Sequence, residues 1–226
     1  MNSTKEDYMQ SKTVMMTTIL FAFLTTGCAL TQGHVNINYQ PRSHDALEPV
    51  ASAETPPVQV AVVDQRVSKD NVGHKSNGYG MEMAPITADN DVNEALRSAI
   101  ASELQARGFK VGDAGPNVTA TLSKFENRFI NGFWSGTAQG ELVMNVVVTR
   151  PDKTLAYTKL IDAEGINKGI QIASAANAQI ALNQALQEAV SQLFDDEGFL
   201  MALKPTGKTV AETAKPTTAA VLVQPK

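Results

Sequence analysis

The sequence predicts an α/β domain of the α+β type, in which a mixed, largely antiparallel sheet packs against two amphipathic helices in the order β-α-β-β-β-β-α. Three observations lead to this prediction. Apolar stripes at helical spacing lie over 91–107 and 174–194, a β-branched run precedes the first of them, and a period of two begins at Asn117. Because both helices must bury their stripes, one shared sheet is the economical solution.

Residues 58–107 supply the first strand and the first helix. The run 58–64 is almost continuously apolar, which favours a strand buried on both faces. The helix begins at a cap among Asp89, Asn90 and Asp91 and ends at Gly108. Between the two, 65–90 reads as a long polar loop, with a short edge strand around 81–86 as an alternative for part of it.

The second half of the domain alternates apolar and polar residues. After a short strand at 109–111, the alternation runs from Asn117 to Phe125, and the pair Asn131-Gly132 predicts a hairpin turn. Segments 140–149 and 155–165, joined by a turn at 151–153, complete a three-stranded antiparallel meander. The alanine-rich helix over 174–194 then has high helix propensity and can pack closely on the sheet.

The first 28 residues resemble a bacterial lipoprotein signal peptide. The apolar stretch 14–24 is too short to span a bilayer as a helix, which needs about 20 residues, and suits a secretory signal. It ends in Leu24-Thr25-Thr26-Gly27-Cys28, similar to a lipobox cleaved between Gly27 and Cys28, with lipidation of Cys28 by acyl chains such as palmitate. An ordinary cleavage site before a free cysteine is the alternative. A start at Met9 would leave a more basic leader.

Lipidation sets the expected location and partner. Two or three acyl chains on Cys28 would anchor the protein permanently in lipid. By resemblance to Gram-negative lipoproteins, Ala29 in place of Asp favours the periplasmic face of the outer membrane. Residues 28–57 are predicted to be the lipidated cysteine and a flexible tether, and 58–203 the periplasmic domain. The Lys-, Pro-, Thr- and Ala-rich tail 204–226 is expected to be disordered and solvated, or to engage an anionic polymer such as peptidoglycan or lipid headgroups.

Composition excludes several functional classes. The 226 residues carry 19 Lys plus Arg against 23 Asp plus Glu, a net charge of −4, which does not supply the positive field of a nucleic-acid binder. The single cysteine excludes internal disulfides and Cys-rich zinc modules. No metal site, catalytic residue or cofactor is predicted, because the sequence contains no GxSxG, P-loop, HExxH or Rossmann glycine pattern.

Three tracts resemble the YajG family of lipoproteins. They are the strand followed by Asp64-Gln65-Arg66, the segment 104–111 (LQARGFKV) and the segment 181–186 (ALNQAL), in matching order and spacing over about 145 residues. The resemblance implies a Gram-negative lipoprotein with a small α/β domain, similar to transport-auxiliary and TolB-like N-terminal modules. It implies no particular activity, and the basic tail lies outside it.

Two sets of residues are candidates for binding. Asp64 and Arg66 lie at the end of the first strand, where they form either a catalytic or ligand pair or a local ion pair that orders the loop. Phe133 and Trp134 lie at the predicted hairpin tip, either exposed for stacking on sugars and proteins or folded back over the sheet edge, and Tyr79 could extend an exposed surface.

The acidic run 195–197 is expected to be a solvated helix terminus, with a charged docking patch as the alternative.

Taken together, the sequence predicts an outer-membrane lipoprotein, not an enzyme, that binds an envelope protein or peptidoglycan. The alternatives are an accessory subunit of an envelope transport or assembly system and, third, an enzyme acting on cell-wall material.

Overall fold

The computed structural model describes residues 30–41, 50–51 and 55–205 of the chain. The predicted signal segment 1–27, Cys28 and the tail from 206 onward lie outside the described residues. The elements are β1 (Gly33–Val35), β2 (Gln59–Asp64), β3 (Asn71–Ser76), β4 (Glu82–Ala88), α1 (Val92–Ala106), β5 (Asn117–Ile130), β6 (Gly136–Thr149), β7 (Leu155–Ile170), α2 (Ala175–Phe194) and α3 (Glu197–Ala202).

The strands form one mixed sheet in the order β1-β4-β3-β5-β6-β7, and β2 lies parallel to the first half of β5. The predicted meander is confirmed, since β5, β6 and β7 pair antiparallel over almost their whole length. The α+β class is confirmed as well. Because these strands have 14 to 16 residues, the sheet is about 45 Å long along the strand direction.

Both long helices pack on the same face of the sheet. Alternate side chains of β5 and β6 on that face are fully buried, whereas those on the other face are half-buried or exposed. The helical side of the core consists of the predicted stripes, and its largest buried members include Leu96, Ile100, Leu104, Leu182, Leu186 and Val190. Asp91 caps α1 by accepting hydrogen bonds from the backbone N–H groups of Asn93 and Glu94, as expected.

The sheet and α2 approach each other closely at two glycines. Gly140 on β6 lies directly opposite Gly165 on β7. A Cβ atom on Gly165 would lie 2.1 Å from the carbonyl oxygen of Ala181, and one on Gly140 would lie 2.5 Å from the same oxygen. Only glycine fits at both positions, so the helix backbone rests directly on the strands.

The segment predicted as a flexible tether differs from that prediction. Residues 33–35 form β1, and Val35 and Ile37 are 1% and 2% exposed in the main core. The outer edge of this segment is closed by α2, because the Gln179 and Asn183 side chains accept hydrogen bonds from its backbone N–H groups at 2.8 and 3.0 Å. The correction has a physical reason: the strand has only three residues, too few for a visible period.

The predicted long loop also contains structure. Residues 71–88 form the β3–β4 hairpin, so the suggested edge strand near 81–86 exists and pairs with a strand that the sequence analysis missed. Pro85 and the irregular register of this hairpin obscure its alternation. In contrast, the strand predicted at 109–111 is only a single bridge between Val111 and Val58. The first predicted strand, β2, was expected to be buried on both faces, but it is covered on one face only, and Val63 on the other face is 45% exposed.

Candidate functional site

Asp64 and Arg66 form a closed pair beside β5. The Arg66 Nε and Nη2 atoms donate to the two Asp64 carboxylate oxygens at 3.0 and 2.8 Å, and the Arg66 backbone N–H donates to the first of them at 3.0 Å. Nη2 also donates to the carbonyl oxygen of Lys69 at 2.7 Å. Both side chains are nearly inaccessible, at 2% exposure for Asp64 and 6% for Arg66.

Of the two alternatives predicted for Asp64 and Arg66, the structure has the local ion pair. Burial alone raises the pKa of Asp64, but the hydrogen bonds and the charge of Arg66 outweigh it and lower the pKa below its ordinary value. Asp64 is therefore an ionised carboxylate whose acceptors are engaged. The contact to Lys69 ties down the loop between β2 and β3, so we assign the pair a role in ordering that loop.

The aromatic candidates come together at one end of the sheet. β3 runs parallel to β5, with Gly73 opposite Asn127, so the β3–β4 and β5–β6 turns lie at the same end. β7 also finishes there, because Ile170 pairs with Gly136. We call the three loops 77–81, 131–135 and 171–174 the aromatic end.

The side chains of the aromatic end are exposed. Phe133 is 91% exposed, Trp134 86% and Tyr79 93%, so the structure has the exposed hairpin tip of the two predicted arrangements. The Phe133 and Trp134 rings stack edge to face, with centroids 4.9 Å apart and planes at 88°. Ile172, 70% exposed in the third loop, was missed by sequence reasoning because an isolated isoleucine between a strand and a helix carries no period.

Hydrogen bonds hold the loops of the aromatic end in place. The Asn77 side-chain oxygen accepts from the backbone N–H groups of Tyr79 and Met81, both at 3.0 Å, and fixes the β3–β4 tip. The Asn131 side chain donates to the carbonyl oxygen of Asn77 at 2.9 Å and joins this tip to the β5–β6 tip. Residues of the β5–β6 tip and of the third loop line a shallow depression of about 220 Å³.

The N-terminal part of the described chain starts beside the same loops. The Lys75 ammonium, on a side chain that is largely buried, donates to the carbonyl oxygen of Thr31 at 2.8 Å. Gly33 lies against the first residue of α2, since an added Cβ would be 2.9 Å from the Cβ of Ala175. Leu30 is 69% exposed. The chain therefore enters the fold next to the aromatic end.

The acidic run lies at the opposite end and is not merely a solvated terminus. Asp196 caps α3 through the backbone N–H of Gly198 and accepts hydrogen bonds from Lys159 at 2.8 Å and from the Tyr157 hydroxyl at 3.0 Å. The hydrogen bond from Lys159 lowers the pKa of Asp196, although partial burial opposes it. The prediction missed this role because the partners lie on β7, far away in sequence.

Comparisons with known proteins give one family match and two similar solved structures. The model of a family described as an uncharacterized lipoprotein matches residues 46–204. The crystal structure of protein XCC0632 from Xanthomonas campestris, of family DUF330, superposes with a TM-score of 0.52 at 14% identity, covering 76% of this chain and 96% of that one. A crystal structure titled only as an uncharacterized protein gives a TM-score of 0.38 at 15% identity, covering 70% and 95%. No curated protein matches the chain.

The family assignment rests on the first of these findings, and the DUF330 structure supports the fold alone. No helix within the described ranges is long and apolar enough to cross a bilayer. The matched region contains all the elements from β2 to α3, including the Asp64–Arg66 pair and the helix that carries Asn183. The chain belongs to this family of uncharacterized lipoproteins, in agreement with its resemblance to the YajG family.

Proposed function

We propose that the protein is a non-enzymatic lipoprotein, anchored by acylated Cys28 at the periplasmic face of the outer membrane, whose domain binds an extended segment of another envelope protein. Membership of a lipoprotein family supports the acyl anchor. Ala29 after the modified cysteine supports the outer membrane. The engagement of Asp64 by Arg66 supports a structural role for the one charged pair that resembled a catalytic site.

The observation that carries the binding proposal is the free edge of β7. This strand has 16 residues and, among the described residues, pairs only with β6. An unpaired strand edge presents a row of backbone donors and acceptors that a second chain can complete by adding a strand. The exposed side chains Leu155 and Leu160, 62% and 67% accessible, would give such a partner apolar contacts.

The opposite edge of the sheet, formed by β1 and the residues after it, is covered by side chains of α2. Directly after β1, the backbone N–H groups of Asn36 and Asn38 are satisfied by the Gln179 and Asn183 side chains of α2. The amides of α2 thus satisfy this edge, whereas over the 16 residues of β7 the α2 amide that contacts the backbone is that of Gln192, which donates to the carbonyl oxygen of Asp162 at 3.5 Å. The remainder of the β7 edge favours this side of the sheet for strand addition by a partner.

The uncovered face of the sheet adjoins this edge. Val63, Thr121, Asn145 and Leu160 lie side by side across four strands, because each pairs with the next in register. Both ends of this row are exposed aliphatic side chains. A partner strand added to β7 could extend its side chains over the Leu160 end of the row, which would add specificity to the backbone hydrogen bonds.

Site-specific photocrosslinking in a Gram-negative host tests the binding proposal. A photoreactive amino acid at Leu160 is expected to give a discrete crosslinked envelope protein, whereas the same group at Gln105, exposed on α1, is expected to give none. Equal crosslinking from both positions, or none from Leu160, would contradict the proposal. A partner that also copurifies as a stable complex would favour the accessory subunit of a transport or assembly system.

A separate experiment tests the anchor. Metabolic labelling with a fatty-acid analogue, followed by separation of inner and outer membranes, should label the wild-type protein in the outer membrane and leave Cys28→Ala unlabelled. An unlabelled wild-type protein in the soluble periplasm would refute the anchor without bearing on the β7 edge.

A further inference from the structure

The aromatic end contains no charged side chain. The loops 77–81, 131–135 and 171–174, together with the flanking residues 130, 136 and 170, lack Asp, Glu, Lys and Arg, in a chain with 19% charged residues. They carry instead the exposed side chains Tyr79, Phe133, Trp134 and Ile172, with Met81 58% and Ile130 48% exposed. The nearest charged residues are Glu82 on β4, Lys75 on β3, Arg128 on β5 and Lys168 on β7, so the border of this surface is basic overall. An exposed apolar cluster that is free of charge is unusual on a soluble surface.

The direction of the chain brings this end close to Cys28. β1 runs parallel to β4, with Gly33 opposite Ile86 and Val35 opposite Ala88, and β4 starts at the aromatic end. The residues before Gly33 therefore lead back toward that end, and Lys75 holds Thr31 there. Cys28 precedes Gly33 by five residues, which span at most about 17 Å when fully extended.

We propose that the aromatic end faces the bilayer and inserts Trp134, Phe133, Tyr79 and Ile172 into its interfacial layer. The inference rests on the proposed acylation of Cys28, which fixes the membrane within this short reach. Tryptophan and tyrosine suit the interface because their rings are apolar while their N–H and O–H groups can remain hydrated. Since these loops carry no charge, their insertion desolvates no ion.

Proximity favours the bilayer over other occupants. A second binding element on a tethered molecule meets its target at a high effective concentration when the link is short. With a link of at most about 17 Å from Cys28 to Gly33, the membrane surface is the partner that is always present at this end. A peptidoglycan strand or a protein at the same loops would have to displace it.

Two residue types that occur only once in the chain make the proposal directly testable. Trp134 is the only tryptophan of the chain and Cys28 its only cysteine. The mature chain from Cys28 can therefore be coupled through its thiol to maleimide-bearing phosphatidylethanolamine in phosphatidylethanolamine/phosphatidylglycerol vesicles. We expect the Trp134 emission to shift to shorter wavelength, to be quenched by lipids brominated on the acyl chain, and to become protected from aqueous iodide.

A matched variant moves the reporter to the other end of the sheet. In the double variant Trp134→Phe, Leu155→Trp, the tryptophan replaces an exposed leucine beside the β6–β7 turn, opposite the aromatic end. Its emission is expected to stay that of a hydrated indole, with no bromolipid quenching and full access to iodide. Both replaced side chains are exposed, so the fold should be retained.

Three outcomes would overturn the proposal. Trp134 could remain accessible to iodide on vesicles, or bromolipids could quench both positions equally, which would indicate that the domain lies on its side. A Trp134 that is unaffected by vesicles but shifts when soluble peptidoglycan fragments are added would assign the surface to glycan instead. Because the chemical tether replaces cellular acylation, these results are independent of the fatty-acid labelling experiment, which tests the anchor alone.

Discussion

The contact between Gly165 and α2 leads to a quantitative prediction for Gly165→Ala. The added Cβ would lie 2.1 Å from the Ala181 carbonyl oxygen and 2.4 Å from the Ala185 backbone nitrogen, whereas ordinary contacts begin at 3.4 Å. The neighbours are helix backbone, which cannot rotate away as a side chain can. To restore ordinary contact, the helix must move outward by about 1.3 Å, the difference between 2.1 and 3.4 Å.

The cost follows from the packing that this movement disturbs. A radial gap of about 0.5–1 Å already removes a quarter to a half of the dispersion energy between facing atoms. On α2 the affected side chains include Leu182 and Leu186, both essentially inaccessible to solvent. Overpacking in a core typically costs about 1–3 kcal/mol. We expect Gly165→Ala to lie at the upper end, near 3 kcal/mol, and to lower the Tm by roughly 6–12 °C.

Urea unfolding followed by circular dichroism measures the effect, and Gly78→Ala is the matched control. A Cβ on Gly78 has no atom within 4 Å, and this glycine does not have a positive φ. Its substitution should change the free energy of unfolding by less than about 0.5 kcal/mol. If Gly165→Ala proves as stable as Gly78→Ala, the close approach of α2 to the sheet is wrong.

Three further predictions concern buried polar contacts. On α1, the buried Glu103 carboxylate accepts hydrogen bonds from the buried Arg107 guanidinium and from the Tyr39 hydroxyl. Glu103→Ala removes this carboxylate and should lower the free energy of unfolding in urea by about 3–5 kcal/mol, so a loss below about 1 kcal/mol would contradict a buried ion pair. Asn183→Ala removes the acceptor for the backbone N–H of Asn38. The substitution should cost about 1 kcal/mol and speed hydrogen exchange at Asn38, and unchanged exchange there would contradict the contact. Asp64→Asn should destabilise at pH 7. Since Arg66 holds the folded pKa of Asp64 below 3.8, this contribution is present above that value and lost as pH falls through the lowered pKa. The difference between wild type and Asp64→Asn in urea unfolding should therefore shrink in acid, and a constant difference from pH 7 to 3 would refute this.

The helices and the meander could be predicted because their patterns are long. α1 and α2 cover four and more turns with a regular apolar stripe, and β5 to β7 alternate over 14 to 16 residues. β1 and the β3–β4 hairpin could not be predicted in the same way. Their stability comes from long-range contacts, such as those of the α2 amides with the backbone of Asn36 and Asn38 just after β1, which local sequence does not display.

The candidate site likewise contains residues that local sequence could predict and residues whose position depends on long-range pairing. The place of Trp134 and Phe133 at a hairpin tip could be predicted from a strong turn signal, Asn131-Gly132, whereas their exposure was one of two open alternatives. That Tyr79 and Ile172 lie at the same end depends on the parallel pairing of β3 with β5 and on where β7 stops. These are properties of the sheet topology, so no local pattern could show that the three loops form one surface.

The two ends of the sheet place the basic tail relative to the membrane. The last described residues follow α3, whose N-cap Asp196 accepts a hydrogen bond from the Tyr157 hydroxyl. Tyr157 pairs with Val148 at the end of the sheet far from the aromatic end. With the aromatic end at the bilayer, the tail begins about 45 Å away along the strands. Even as an unfolded chain, the segment 206–226 would extend only about 25 Å on average. At its average extension the tail would not span this distance, so under the proposed orientation its lysines are expected to lie in the periplasm and not at the lipid headgroups.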